Sequence, residues 1–379
     1  MTFRLTAEHE AIRQAVREFG EEEMRPVARE HDENKEYPED LRRQAADLDF
    51  VAPHIPEEYG GAGMDMLGRV IVTEELWRAD PGIGSAVGSA GFGTSMILEY
   101  GDEWMKEEWL PRIASGDSAS STAISEPAHG SNVAGMETSA EKESDEWVLN
   151  GDKMWITNGT VADVAVVMAK TDPGAGHRGI TAFLVPTDTP GYESTKIDNK
   201  LGIRASDLGE IQLNDVRVPE RSVVGEVDEG FYQLMDFFAS GRTGVASQAV
   251  GAAQGALDAA KAYANEREQF DQKISEFQAI RHKIADMATD TEAARSLTYR
   301  AAGAIDEGAE DEAVRFASMA KLFASETSVE VADEGLQVHG GAGYVTDHPA
   351  ERFYRDSRIT KIYEGTSEIQ KNIIADRLL

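Results

Sequence analysis

The sequence predicts an α+β protein built in three parts, helical, then β-rich, then helical again. Three observations carry this. The first third sets apolar residues at helical spacing, a run of short β-type segments begins near Ser118, and long Ala-rich helical stretches return from Phe231 onward. The expected divisions are an N-terminal helical domain over 1–117, a middle β domain over 118–230 and a C-terminal helical domain over 231–379. At about 100 to 200 residues per domain, a chain of 379 residues has room for two or three.

Within the first part, Leu5, Ile12, Val16 and Phe19 fall on one helical face, and Pro38 followed by Glu39 and Asp40 reads as a helix start. The stretch from Pro56 to Asp65 is a Gly-rich loop. Val70 to Trp77 and Ile83 to Leu98 read as helices, the latter so rich in small residues that it either packs tightly or borders a cavity. In the middle part the β-type runs are Ser120–Ile124, Trp147–Leu149, Val164–Met168, Ile180–Val185 and Ile211–Val218, with Asn150-Gly151 as a turn dipeptide. The last part is expected to break near Phe270–Ser275, at Gly308 and at Gly340–Gly343.

Composition narrows the function. A formal charge of −32 argues against an extended basic surface for nucleic acid or an anionic membrane. With arginine outnumbering lysine, the acidic balance resembles that of proteins kept soluble in concentrated salt. No cysteine is present, which excludes disulfides, thiolate metal sites and a catalytic thiol. Met1 to Glu10 carries no apolar signal core, and no stretch reaches the roughly 18 apolar residues of a membrane span. A soluble cytoplasmic protein is expected.

Dinucleotide, phosphate-loop, zinc-protease and serine-hydrolase signatures are absent. Four other segments stand out: SEPAHGSNV from Ser125, KMWITN from Lys153, NEREQFDQKISEFQ from Asn265, and QVHGGAGY from Gln337 followed by IYEGTSEIQ from Ile362. Singly each has a plain reading, with Trp155 as core, Gly340-Gly341 as a turn and Glu364 as a solvated acid near a helix start.

In this order and spacing they resemble the acyl-CoA dehydrogenase family. EYGGAGMD, LPRIASGD, KLGIRAS and NDVRVPE extend the resemblance along the whole chain. It implies a three-domain fold ending in a four-helix domain, assembly as a homotetramer (a dimer of dimers), and FAD held without a Rossmann fingerprint. It also implies oxidation of an acyl-CoA to the trans-2-enoyl-CoA, with electrons passed to an electron-transfer flavoprotein.

Carried over position by position, Glu364 matches the catalytic base. Thr122, Ser125, Ser131, Trp155, Ile156 and Thr157 match flavin contacts. Arg267 and Gln278 match contacts to the ADP half of FAD, Phe270 matches a further cofactor contact, and Gln337, Val338, Gly340 and Gly341 match contacts made from a neighbouring subunit. Thr366 and Glu368 complete the cofactor set, while Ser131, Phe238, Ala239, Arg242 and Gly365 match substrate contacts. The chemistry is coherent, since a thioester α-proton needs a base paired with stabilisation of the enolate oxygen. The alternative base position of some subfamilies is here Gly241, which leaves Glu364 as the one candidate. Ala239, Asp271 and Asn132 depart from the usual pattern and put local contacts there in question.

No Lys or Arg occurs between Asp80 and Met105, so the acyl group is expected to be neutral. Gly84, Gly88, Gly91 and Gly93 suggest a roomy pocket, with Phe92 the one bulky exception. An oxidase-like enzyme on the same fold, or a silent binding or assembly subunit, stays open at this point.

Overall fold

Helix α1 (Ala7–Phe19) begins at Thr6, whose hydroxyl accepts from the His9 N–H while His9 reaches back to the Thr6 N–H. A computed structural model describes residues 5–379, so the first four positions of the expected N-terminal domain lie outside it. Val16 and Phe19 are buried as their spacing predicts, whereas Leu5 precedes the helix. It packs on the cluster of Met66, Val70 and Tyr299. A π-helical turn, Gly20–Met24, leads to α2 (Ala28–Asn34), and α3 (Glu39–Ala46) starts directly after Pro38. Beyond the glycine loop come α4 (Met66–Ala79), α5 (Pro81–Gly88), α6 (Thr94–Tyr100) and α7 (Glu103–Ala114). The stretch expected as one helix from Ile83 to Leu98 is therefore two. Gly93 sits at φ 100°, a left-handed conformation that no helix continues through.

The middle domain is a seven-stranded sheet formed by β1 (Ser120–Ala123), β2 (Ser139–Glu143), β3 (Glu146–Thr157), β4 (Val164–Lys170), β5 (Ile180–Pro186), β6 (Tyr192–Lys196) and β7 (Leu208–Pro219). β1 runs parallel to β4 along one edge, β5 pairs antiparallel on the other, and β3 bridges β2 to β7. Asn150 and Gly151 do not turn the chain. They lie inside β3 at a register shift against β7, with Gly151 at φ 149°. The freedom that suits Asn-Gly to a turn suits it equally to a bulge.

The C-terminal domain rests on three long helices, α8 (Gly230–Glu266), α9 (Gln278–Asp306) and α10 (Glu310–His339), with a small hairpin of β8 (Glu268–Gln269) and β9 (Gln272–Lys273) between the first two. Short α11 (Ala350–Ser357) follows, and α12 (Ser367–Leu378) packs against α10. α8 also crosses α4 closely. A β-carbon on Gly251 would lie 2.3 Å from the Glu74 carbonyl oxygen, so the glycine sets the contact distance. This crossing joins the first and last domains around one cavity. No helix among the described residues is long and apolar enough to cross a membrane.

Candidate active site

A cavity of about 760 Å³ opens where all three domains meet, lined by α4, α5, the ends of β1 and β3, α8, and the segment from Arg358 to Thr366. A second space of about 330 Å³ adjoins it, and Glu364, Gly365, Ser125 and Ser131 line both.

Glu364 occupies the junction. It sits at φ 52° and Gly365 at φ 87°, so two consecutive residues hold left-handed backbone just before α12. Thr366 then caps that helix, its hydroxyl accepting from the Ile369 N–H. The Glu364 side chain is partly open to the cavity, but Oε2 is enclosed and has no hydrogen-bond partner among the described residues. Burial pushes the carboxyl up to about 7, against the pull of Arg242 and Lys321. Opposite it stands Gly241 on α8, where a β-carbon would come within 3.0 Å of Oε2.

Two cations back this carboxylate. Arg242 is buried with its guanidinium 5.5 Å from the Phe238 ring, and its Nε has no partner among the described residues. Lys321, on α10 and wholly buried, donates to the Gly365 carbonyl at 2.6 Å. Burial lowers its pKa to about 8 despite the nearby Glu364. Sequence reasoning missed Lys321, because a lone lysine in an Ala-rich helical run reads as a solvated position.

On the β side, Thr122, Ser125, Trp155, Ile156 and Thr157 all line the larger cavity. Trp155 holds φ 64° at a bulge in β3 and leaves 58% of its surface exposed. The Thr122 hydroxyl is buried without a partner among the described residues. A wholly buried ion pair that the sequence did not single out fixes this wall. Lys153 reaches Glu126 at 2.9 Å and the Ile124 carbonyl at 3.1 Å, while Glu126 accepts from the Glu137 and Thr138 N–H groups at 2.5 and 3.0 Å. Burial alone would raise Glu126, yet the Lys153 charge holds it below the usual carboxylate range. The pair thereby clamps the loop bearing Ser125 against the strand bearing Trp155.

Other sequence-predicted positions fall elsewhere. Phe238 and Arg242 line the smaller space, whereas Ala239 and Glu368 line neither. Arg267, Phe270 and Gln278 are exposed on the β8–β9 hairpin and the start of α9, with Phe270 88% exposed. At the end of α10, Gln337, Gly340 and Gly341 are exposed too, while the Val338 side chain is spent on the core with Trp77 and Phe353.

Comparison with known proteins gives this geometry its context. Residues 6–117, 121–216 and 228–379 match the family descriptions "Acyl-CoA dehydrogenase, N-terminal domain", "middle domain" and "C-terminal domain" in turn. The chain belongs to the acyl-CoA dehydrogenase family. Such enzymes are FAD-dependent oxidoreductases. The mitochondrial short-chain specific acyl-CoA dehydrogenase of Rattus norvegicus is 42% identical over 373 residues, 98% of this chain and 90% of that one. The solved butyryl-CoA dehydrogenase of Megasphaera elsdenii superposes with a TM-score of 0.95 at 36% identity, covering 100% of both chains. A chain from the structure of the electron transferring flavoprotein of Acidaminococcus fermentans reaches 0.96 at 39% identity, again over 100% of both.

Proposed function

We propose that this acyl-CoA dehydrogenase binds FAD and a neutral acyl-CoA, that Glu364 takes the α-proton, and that the electrons pass to an electron-transfer flavoprotein. The observation that carries the reading is the Glu364 carboxylate, unpartnered at Oε2 and facing the junction of the two spaces. Bound FAD supplies the hydride acceptor for the β-hydrogen. The fit for it rests on the Trp155 indole left exposed at the cavity and on Thr122, lining the same cavity, whose buried hydroxyl has no partner among the described residues.

The chain's own residues account for the proton step. A carboxyl near 7 is matched to abstraction at neutral pH, where a base both ionised and basic is most effective. Entry of the acyl chain expels water and strengthens that basicity. The Glu364 backbone N–H has no acceptor among the described residues, which leaves it free to bond the thioester carbonyl as charge develops there. Arg242 and Lys321 keep the carboxylate from staying protonated throughout.

The expected homotetramer supplies the remaining cofactor contacts. Arg267, Phe270 and Gln278, and separately Gln337, Gly340 and Gly341, lie on exposed surface outside the cavity, as residues completing a site across subunits would. Anaerobic mixing of purified holoprotein with a panel of acyl-CoA thioesters tests the function. Bleaching of flavin absorbance is expected, and a panel that leaves the flavin oxidised throughout would refute it. Reduced enzyme that reoxidises faster in air than with electron-transfer flavoprotein would favour the oxidase alternative.

A further inference from the structure

The segment from Asp80 to Met105 lacks cations, yet the cavity is not free of them. Arg69 on α4 lines it beside Met66, Val70 and Thr73. The charges that move Glu364 are Arg242 and Lys321, so Arg69 serves another part of the cavity. Glu99 and Asp306 act on the Arg69 guanidinium through space, but neither hydrogen-bonds to it among the described residues. Burial holds its pKa below the ordinary value. The carboxylates balance its charge, whereas its N–H donors have no acceptor among the described residues.

His54 supplies the complement on the same wall. The Thr94 hydroxyl donates its one hydrogen to the Gly91 carbonyl at 2.7 Å, so in its 3.0 Å contact with His54 Nε2 the imidazole donates. The ring is neutral, because burial and then the Arg69 charge push its pKa well down. That tautomer leaves Nδ1 as an acceptor with no partner among the described residues. Water can satisfy both groups in the free enzyme. An alkyl tail that displaced the water would leave a buried guanidinium unpaired, which a binding site penalises heavily. A carboxylate would add a third negative charge beside Glu99 and Asp306.

We propose that the acyl-CoA taken by this enzyme carries a hydroxyl group toward the far end of its acyl chain, accepting from Arg69 and donating to His54. The inference rests on the dehydrogenase reading above and specifies its substrate. The test uses three CoA thioesters of equal chain length, ending in methyl, hydroxyl or carboxylate. For each, flavin reduction rate and dissociation constant are measured anaerobically, across several lengths. The hydroxyl compound is expected to exceed both others by about tenfold or more in the ratio of rate to dissociation constant, since a site built to bond a hydroxyl rejects its absence. Arg69→Leu should bring the hydroxyl-to-methyl ratio close to one, and His54→Leu should lower it independently should the first variant fail to fold. A methyl or carboxylate preference at every length, or a ratio unchanged by both substitutions, overturns the inference while leaving the dehydrogenase reading intact. Flavin left oxidised by all three series would overturn the dehydrogenase reading itself.

Discussion

Lys321 Nζ donates to the carbonyl oxygen of Gly365 at 2.6 Å, tying the middle of α10 to the backbone immediately after Glu364. Left-handed backbone at a glutamate is unfavourable without such support, and it is this conformation that turns the carboxylate into the cavity. The same ammonium also acts on the carboxylate, so one buried lysine sets both position and charge.

Lys321→Met should therefore weaken catalysis through geometry and pKa together. Losing a charged hydrogen bond costs about 1.5–3 kcal/mol, and losing a nearby cation raises the Glu364 pKa further. Flavin reduction should slow about tenfold or more, on the scale of 1.4 kcal/mol per factor of ten, with its pH profile displaced to higher pH. A profile that stays in place would confine Lys321 to a structural role.

Glu364→Gln removes the base while keeping the side chain's size. The protein should remain yellow and bind acyl-CoA, with reduction slowed by about 10² to 10⁴. In the parent enzyme the carboxylate is the active form, so the reduction rate should rise with pH through about 7, where burial has placed the carboxyl. A parent profile flat from pH 5 to 9, roughly two units either side of that midpoint, would place the rate-limiting proton step elsewhere.

How much of this was legible beforehand follows from where the information sits. Glu364, Trp155, Ser125 and Thr157 lie in local motifs, and the structure brings them to one cavity. The strands β2 and β6 escaped notice because their sequences, SAEKE and YESTK, are polar and mostly exposed, without apolar alternation. Lys321, Arg69 and the Lys153–Glu126 pair were not legible for a different reason. Each is a charged residue whose burial depends on packing between distant elements, and a charge in a helix or strand ordinarily signals a solvated face.

Gly241 offers a test that separates stability from activity. A β-carbon there would stand 3.0 Å from Glu364 Oε2, so Gly241→Ala should crowd the carboxylate and slow flavin reduction. The same change should stabilise α8, since alanine is favoured over glycine inside a helix by about 1 kcal/mol. The expected result is a raised thermal midpoint with a lowered rate. Gly241→Glu combined with Glu364→Gln should recover part of the reduction, because the new carboxylate would start from the helix face that the old one addresses.

The net charge of −32 predicts a salt requirement. Raising ionic strength from about 0.1 to 1 M shortens the Debye length from about 10 to 3 Å and screens repulsion among surface carboxylates. The thermal midpoint should climb with potassium chloride across that range. A midpoint that falls or stays level would remove the salt-adaptation reading and leave the enzyme assignment untouched.

The Lys153–Glu126 pair permits the sharpest separation of scaffold from chemistry. Lys153 is fully inaccessible and Glu126 is 4% exposed, so removing the lysine strands a buried carboxylate. Breaking such a pair from one side costs about 3–5 kcal/mol. Lys153→Met should therefore lower the thermal midpoint and, by releasing the Ser125 loop from the Trp155 strand, loosen FAD. Replacing both partners, as Lys153→Met with Glu126→Gln, should recover part of the stability, since no charge is left stranded and the single glutamine oxygen can still accept from one of the two N–H groups, of Glu137 or Thr138, that Glu126 binds through separate oxygens. Cofactor affinity need not recover with it. If the double variant regained its midpoint but not its FAD, the clamp itself would be shown to hold the flavin wall; if both single and double variants kept FAD as tightly as the parent, the pair would serve the fold alone.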